Sequence, residues 1–208
     1  FTLVLVLFLY TAWDPFDTLP SFEELENPQT NLATEVISSD GKTIGKYATE
    51  NRTPVHFREL PTNLVNALIA TEDERFYEHS GIDFKGLARA VLKPGSGGAS
   101  TITQQLARAL FTGRASRNKF KRVLQKVKEW VVATKLEKQY TKDEIISMYL
   151  NKYDFVNRAV GIRSAARIYF GKEPKELAIG EAAMLVGMLK NASYFNPLRR
   201  EAKVKQRR

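Results

Sequence analysis

Between positions 70 and 83 the chain reads Ala-Thr-Glu-Asp-Glu-Arg-Phe-Tyr-Glu-His-Ser-Gly-Ile-Asp, which sets Glu72 and Asp73 side by side ahead of Phe76, Tyr77 and His79. Adjacent carboxylates at a helix end, close to aromatics and a histidine, suit a general base whose proton affinity is tuned by partial burial. The same composition also fits an ordinary polar helix terminus. A second group follows at Gly97-Gly-Ala-Ser100-Thr101-Ile-Thr-Gln104-Gln105-Leu106. Glycines followed by hydroxyls at a helix start offer free N–H groups and a positive dipole end, an anion site. No Lys-Ser/Thr follows the glycines, so this is not a nucleotide-binding P-loop. A third group is Lys126-Val-Lys-Glu129. Arg122, Lys126 and Glu129 share one helical face, either as a cationic site with a carboxylate or as a surface ion pair of the i, i+3 kind. The fourth, Lys142 to Asn151, reads from its apolar residues alone as core.

Composition narrows the chemistry. The 208 residues carry 32 Lys+Arg against 23 Asp+Glu, a net charge of +9, with 43% hydrophobic and 26% charged residues. That is a foldable globular mix. With no cysteine, disulfides, thiolate metal clusters and cysteine nucleophiles are excluded. Two histidines without an H-E-x-x-H pair speak against a zinc hydrolase. The charge is polarised: residues 14–35 hold six acids and no base, whereas residues 108–142 hold eleven bases and two acids. Basic runs of this kind meet phosphate, as nucleic acid, lipid headgroups or a phosphorylated substrate, or else form a solvated helix face.

The elements that must position these groups can be outlined. Phe1–Tyr10 is apolar apart from Thr2, and the run extends to Trp13. It is shorter than the ~20 residues of a full span. Residues 1–13 are therefore expected to be the end of a transmembrane anchor, with Tyr10 and Trp13 in the interfacial belt; a buried core helix is the alternative. Residues 14–33 read as a linker. Thr34–Ser38 and Lys42–Ala48 flank Ser39-Asp40-Gly41, a hairpin signal. Helices are predicted after Pro61, over Asp83–Lys93, from Ser100 or Thr101 with Ile102, Leu106 and Leu110 on one face, and over Ser116–Gln139. Thr141–Glu144 forms a capping box for the next helix, and Ala159–Tyr169 and Ile179–Lys190 complete the set. In the long helix Phe120, Leu124, Val127, Val131 and Thr134 form the apolar stripe, with Arg122, Lys126, Glu129 and Ala133 roughly opposite. The fold class is mainly α with one small hairpin near the N-terminus.

Taken together and in order, the four groups resemble the peptidoglycan glycosyltransferases of glycosyltransferase family 51, which occur as single-function enzymes and as N-terminal domains of class A penicillin-binding proteins. The family's first motif, E-D-x-x-F-x-x-H-x-G, is matched at Glu72, Asp73, Phe76, His79 and Gly81. The second, G-x-S-T-I-x-Q-Q-L, is matched from Gly98 through Ser100, Thr101, Ile102, Gln104 and Gln105 to Leu106. The third, R-K-x-x-E, is matched at Lys126 and Glu129, but Gln125 stands where the arginine is usual. The fourth, K-x-x-I-L-x-x-Y-L-N, is matched at Lys142, Ile145, Tyr149, Leu150 and Asn151, with Ile146 for the leucine. A fifth motif would begin at Arg207 or Arg208.

This resemblance implies a two-lobed, lysozyme-like glycosyltransferase domain over residues 34–208, facing the periplasm or cell exterior beside the cytoplasmic membrane. It implies lipid II as substrate, the growing glycan strand as acceptor, and moenomycin-type inhibitors as ligands. Glu72 is then the base, with Asp73 beside it and Glu129 as the second family carboxylate. Lys126, Ser100, Thr101, Gln104, Gln105, His79, Arg108, Lys121 and Asn151 are the substrate-binding candidates. The leaving group is a lipid diphosphate, already a stable anion, so the chemistry asks for one base and a cationic pocket rather than a paired acid. Mg²⁺ or Mn²⁺ is expected as an option, with no organic cofactor. A lytic transglycosylase or hydrolase is the alternative. No nucleic-acid recognition motif accompanies the basic helix, and no S-D-N or K-T-G accompanies the two S-x-x-K matches at Ser39 and Ser116.

Overall fold

The computed structural model describes residues 34–40, 43–47, 54–93, 98, 100–113 and 118–207. The expected anchor, 1–13, and linker, 14–33, lie outside the described residues. Among the described residues no helix is long and apolar enough to cross a membrane. The chain divides into two compact units. One is built around residues 72–149 and the other around 30–71 with 150–208.

In the second of these, strands β1 (Thr34–Ile37) and β2 (Thr43–Tyr47) pair antiparallel, with Thr34 opposite Tyr47 and an irregularity between Val36 and Ile37. Gly41 and Lys42 of the expected turn are not among the described residues. Helix α1 (Thr62–Glu72) begins where the Pro61 carbonyl accepts from the Leu64 and Val65 amides. Leu64, Val65 and Leu68 are buried, as their spacing predicts, and Ile69 is half-buried. Later in the chain come α6 (Ile162–Phe170), α7 (Ile179–Leu189) and α8 (Glu201–Arg207). The start of α6 is later than the expected Ala159. A Cβ on Gly161, at φ +81°, would lie 2.9 Å from the Asn151 carbonyl oxygen, so the chain must turn there before it can coil. Its end at Gly171, in the left-handed region, is the predicted stop. The sequence did not announce α8: Val204 is its one buried residue among charged neighbours, too sparse a pattern to register as amphipathic.

Before α6, three consecutive non-glycine residues, Val156, Asn157 and Arg158, hold φ of 58°, 51° and 65°. A β-branched residue is the most strained occupant of that region. Val156→Gly is expected to raise unfolding free energy by about 0.5–1 kcal/mol, the strain relief exceeding glycine's added chain entropy. Urea unfolding of the two proteins would check this, and a destabilised variant would show that the Val156 side chain contributes more packing than its backbone costs.

The unit around 72–149 holds the candidate chemistry. A single 3₁₀ turn spans Phe76–Glu78, and α2 (Phe84–Leu92) is capped by Asp83, which accepts from the Gly86 amide at 2.9 Å. Helix α3 (Ile102–Ala107) is capped by Thr101, whose hydroxyl accepts from the Gln104 amide at 3.1 Å. It runs into a π turn, Arg108–Thr112, closed by the Gly113 amide donating five residues back to the Arg108 carbonyl at 2.9 Å. The extra residue rotates the helix face. Ile102 and Leu106 are fully buried, but Leu110, expected on the same face, is only half-buried. Helix α4 (Lys119–Gln139) packs on α3. Val127 and Val131 are buried on its apolar stripe, yet Glu129 and Ala133, expected roughly opposite, are buried too, together with Val132 and Leu136 on that side. Helix α5 (Lys142–Lys152) opens with the predicted capping box: the Thr141 amide donates to the Glu144 carboxylate at 2.8 Å and the Glu144 amide to the Thr141 hydroxyl at 3.3 Å.

Candidate active site

Glycine 81 organises the site. Its φ is +87°, and a Cβ there would lie 2.9 Å from the Ala133 carbonyl carbon of α4, so only glycine lets this turn lie flat on the helix. The Gly81 carbonyl then accepts from the Thr101 hydroxyl at 2.8 Å and from the Gln104 side-chain amide at 2.9 Å. Thr101 and Gln104 are buried and serve as fasteners between the first and second motifs. With its amide donated to Gly81, Gln104 turns its Oε1 outward to accept from Lys126 at 2.8 Å.

Lys126 also donates to the Ser100 hydroxyl at 2.9 Å and to Glu129 at 3.1 Å. Burial pushes its pKa below the ordinary 10.5; the facing Glu129 opposes the shift and the nearby Arg108 adds to it. Glu129, 4% exposed, meets two cations: Lys126 and, at 3.6 Å, Arg108. Arg108 comes from the π turn, which brings it over α4. The second cation at this carboxylate is therefore Arg108, where sequence spacing had pointed to Arg122, an exposed residue one turn ahead of Lys126. Gln125, in place of the family's arginine, donates to the Thr112 carbonyl at 3.1 Å and the Gly113 carbonyl at 3.3 Å, tying α4 to the end of the π turn. Lys121 is exposed on α4.

Glu72 ends α1 and is half-buried; its Oε2 accepts from the Gln105 side-chain amide at 2.9 Å, and Gln105 Oε1 accepts from the Tyr149 hydroxyl at 3.0 Å. Asp73 points inward. Both of its oxygens meet His79 Nε2, at 3.0 and 3.1 Å, and Oδ2 accepts from the Ile102 amide at 3.0 Å. The His79 side chain is 7% exposed and stands edge-on to Phe76, so its visible work is to hold Asp73. Asn151 lies apart from these groups, within the unit of residues 30–71 and 150–208, where it donates to the Val55 carbonyl and accepts from the Val55 amide, both at 2.9 Å.

Two residues without an expected role complete the frame. Glu137 accepts from the Thr103 hydroxyl and pairs with Lys142 at 2.7 Å. Lys142 in turn donates to the His79 carbonyl at 2.6 Å and sits 4.3 Å from the centre of the Phe76 ring. Lys142 lies in the fourth motif, a usable signal; Glu137 had none beyond being one of two acids in a basic run. Among the described residues no group of three or more histidines and carboxylates could hold a metal ion.

The arrangement places one half-buried carboxylate and one cationic cluster on adjacent residues of α3: Gln105 holds Glu72, and Gln104 holds Lys126. That is the equipment for removing a proton from an attacking hydroxyl and receiving an anionic leaving group. Comparison with known proteins agrees. Residues 40–208 match the family model described as Transglycosylase. The chain is 40% identical over 196 residues to penicillin-binding protein 1A of Pseudomonas aeruginosa, covering 92% of the chain and 23% of that protein. It is 41% identical over 195 residues to penicillin-binding protein 1A of Escherichia coli, covering 91% and 22%, and 40% identical over 183 residues to penicillin-binding protein 1F of Bacillus subtilis, covering 86% and 25%. It thus spans about a quarter of the length of these relatives. With its motifs joined in one site and its sequence matched from residue 40 onward, the chain belongs to the transglycosylase family and is a peptidoglycan glycosyltransferase domain.

Proposed function

We propose that this domain polymerises lipid II into glycan strands by a single inverting displacement. Glu72 takes the proton from the attacking sugar 4-hydroxyl as the new bond to the anomeric carbon forms. The bond from that carbon to the diphosphate oxygen breaks, and the electron pair leaves with undecaprenyl diphosphate. Lys126 and Arg108 receive the departing charge, and Ser100 and Gln104 orient Lys126. The observation carrying this reading is the cluster at Lys126: a part-buried cation held by three acceptors, beside a second cation, offers what a diphosphate needs.

The commitment of the other carboxylates supports transfer over hydrolysis. Asp73 is taken by His79 and the Ile102 amide, and Glu129 by Lys126 and Arg108. Neither is left to act as the protonated acid or second carboxylate that a glycosidase uses. Mg²⁺ or Mn²⁺ fits the site poorly, because Glu129 already faces two fixed positive charges that would oppose a dication. The substrate is confined to a bilayer, so the reading includes attachment to the cytoplasmic membrane through residues 1–13, with the catalytic unit on its outer face. Moenomycin-type phosphoglycolipids would occupy the Lys126 cluster.

Lys126→Ala is expected to weaken both lipid II turnover and moenomycin binding by at least ~10-fold, the scale of one lost charge-assisted contact. Lys138→Ala, an exposed residue of the same helix, should leave both near their starting values. Equal weakening by the two variants at fixed ionic strength would mean that the helix acts as diffuse charge and that the donor site lies elsewhere. The pH dependence has a definite sign. Diphosphate binding needs charged Lys126, whose pKa is lowered, so affinity should fall on the alkaline side at a lower pH than an ordinary lysine would give.

A further inference from the structure

We propose that Tyr149 and Gln105 form a positioning relay that aims Glu72, with the tyrosine hydroxyl acting on the base through the glutamine. The inference rests on the reading of Glu72 as the base. Glu72 is the last residue of α1, a helix C-terminus, where the partial negative charge of the helix end disfavours a carboxylate. It therefore needs a donor, and the side-chain amide of Gln105 supplies one at 2.9 Å. A glutamine amide, however, is nearly symmetric in shape: turned by 180° it would present its carbonyl oxygen to the carboxylate.

The carboxylate, which only accepts, excludes that turn, and the Tyr149 hydroxyl anchors the amide in the orientation that remains. It donates to Gln105 Oε1 at 3.0 Å, so the amide oxygen is tethered on the tyrosine side while the NH₂ group faces Glu72. With one carboxylate oxygen fixed by this bond, the other is left to meet the incoming hydroxyl. The Tyr149 ring is itself buried, 3% exposed, in the apolar face of α5, which separates two jobs within one residue. The ring packs the core, and the hydroxyl orients Gln105. Sequence pattern alone reports only the first job.

Tyr149→Phe keeps the ring and removes the hydroxyl that holds Gln105. In the full-length protein with lipid II as substrate, kcat should fall roughly 5–10-fold, the scale of one orienting hydrogen bond, with KM changed less than twofold. In a Gln105→Ala background, already slowed, Tyr149→Phe should cause no further loss, because the hydroxyl then has nothing to orient. An equal fall in both backgrounds, or a wild-type kcat for Tyr149→Phe, would overturn the relay. Glu72→Gln in the same assay separates this from the base assignment. If Glu72→Gln is inactive while Tyr149→Phe is wild-type, the relay alone fails; if Glu72→Gln stays active, the base assignment fails and the relay with it.

Discussion

Glu72→Gln should lower lipid II polymerisation at least ~10²-fold, the usual scale for loss of a positioned base, with no loss of folded protein. The structure explains why the two effects separate. The new amide oxygen can still accept from Gln105, so the contact that ties Glu72 to α3 survives. The glutamine cannot take up the proton of the attacking hydroxyl. Polymer length and rate, read by gel with labelled lipid II, would check the activity, and thermal unfolding would check the fold. A well-folded variant with substantial residual polymerisation would remove Glu72 from the role.

The second large effect is expected in stability. Glu137 and Lys142 form a pair whose side chains are only 5% and 22% exposed. Lys142→Met leaves the Glu137 carboxylate with the Thr103 hydroxyl as its remaining partner in this network. Breaking one side of a buried pair costs roughly 2–4 kcal/mol, reduced somewhat from the fully buried case by the residual exposure of the lysine. The double variant Glu137→Leu with Lys142→Met removes both charges and should recover much of that loss. Urea unfolding of the single and double variants would measure both. Activity should not recover in parallel. Lys142 also holds the His79 carbonyl, and through that turn the Asp73 and Gly81 contacts that seat Gln104 and Lys126. A double variant as active as the parent would show that the turn is held by packing around Phe76 instead.

The sequence alone carried the helical class, most helix positions, the Thr141 capping box, the stop at Gly171 and the four motifs that identify the family. All of these are local signals. A cap, a turn or an apolar stripe is set by residues within one or two turns of each other, and motif order needs no coordinates. The boundary of α3 was less legible, because a π turn inserts a residue without leaving a mark in hydrophobic spacing. That same turn decides which cation meets Glu129: Arg108 arrives from another element, while spacing on a single helix could only offer Arg122. The tertiary structure also assigned the work within the motifs. His79, Thr101 and Gln104 appear in sequence as polar groups able to touch a substrate, but burial commits them to Asp73, Gly81 and the orientation of Lys126. Glu137, Lys142 and the Tyr149 hydroxyl acquire their roles from partners 34 to 63 residues away, and in one contact five residues away. Such pairings depend on how helices pack, and packing energy is summed over many side chains rather than encoded at the two that finally meet.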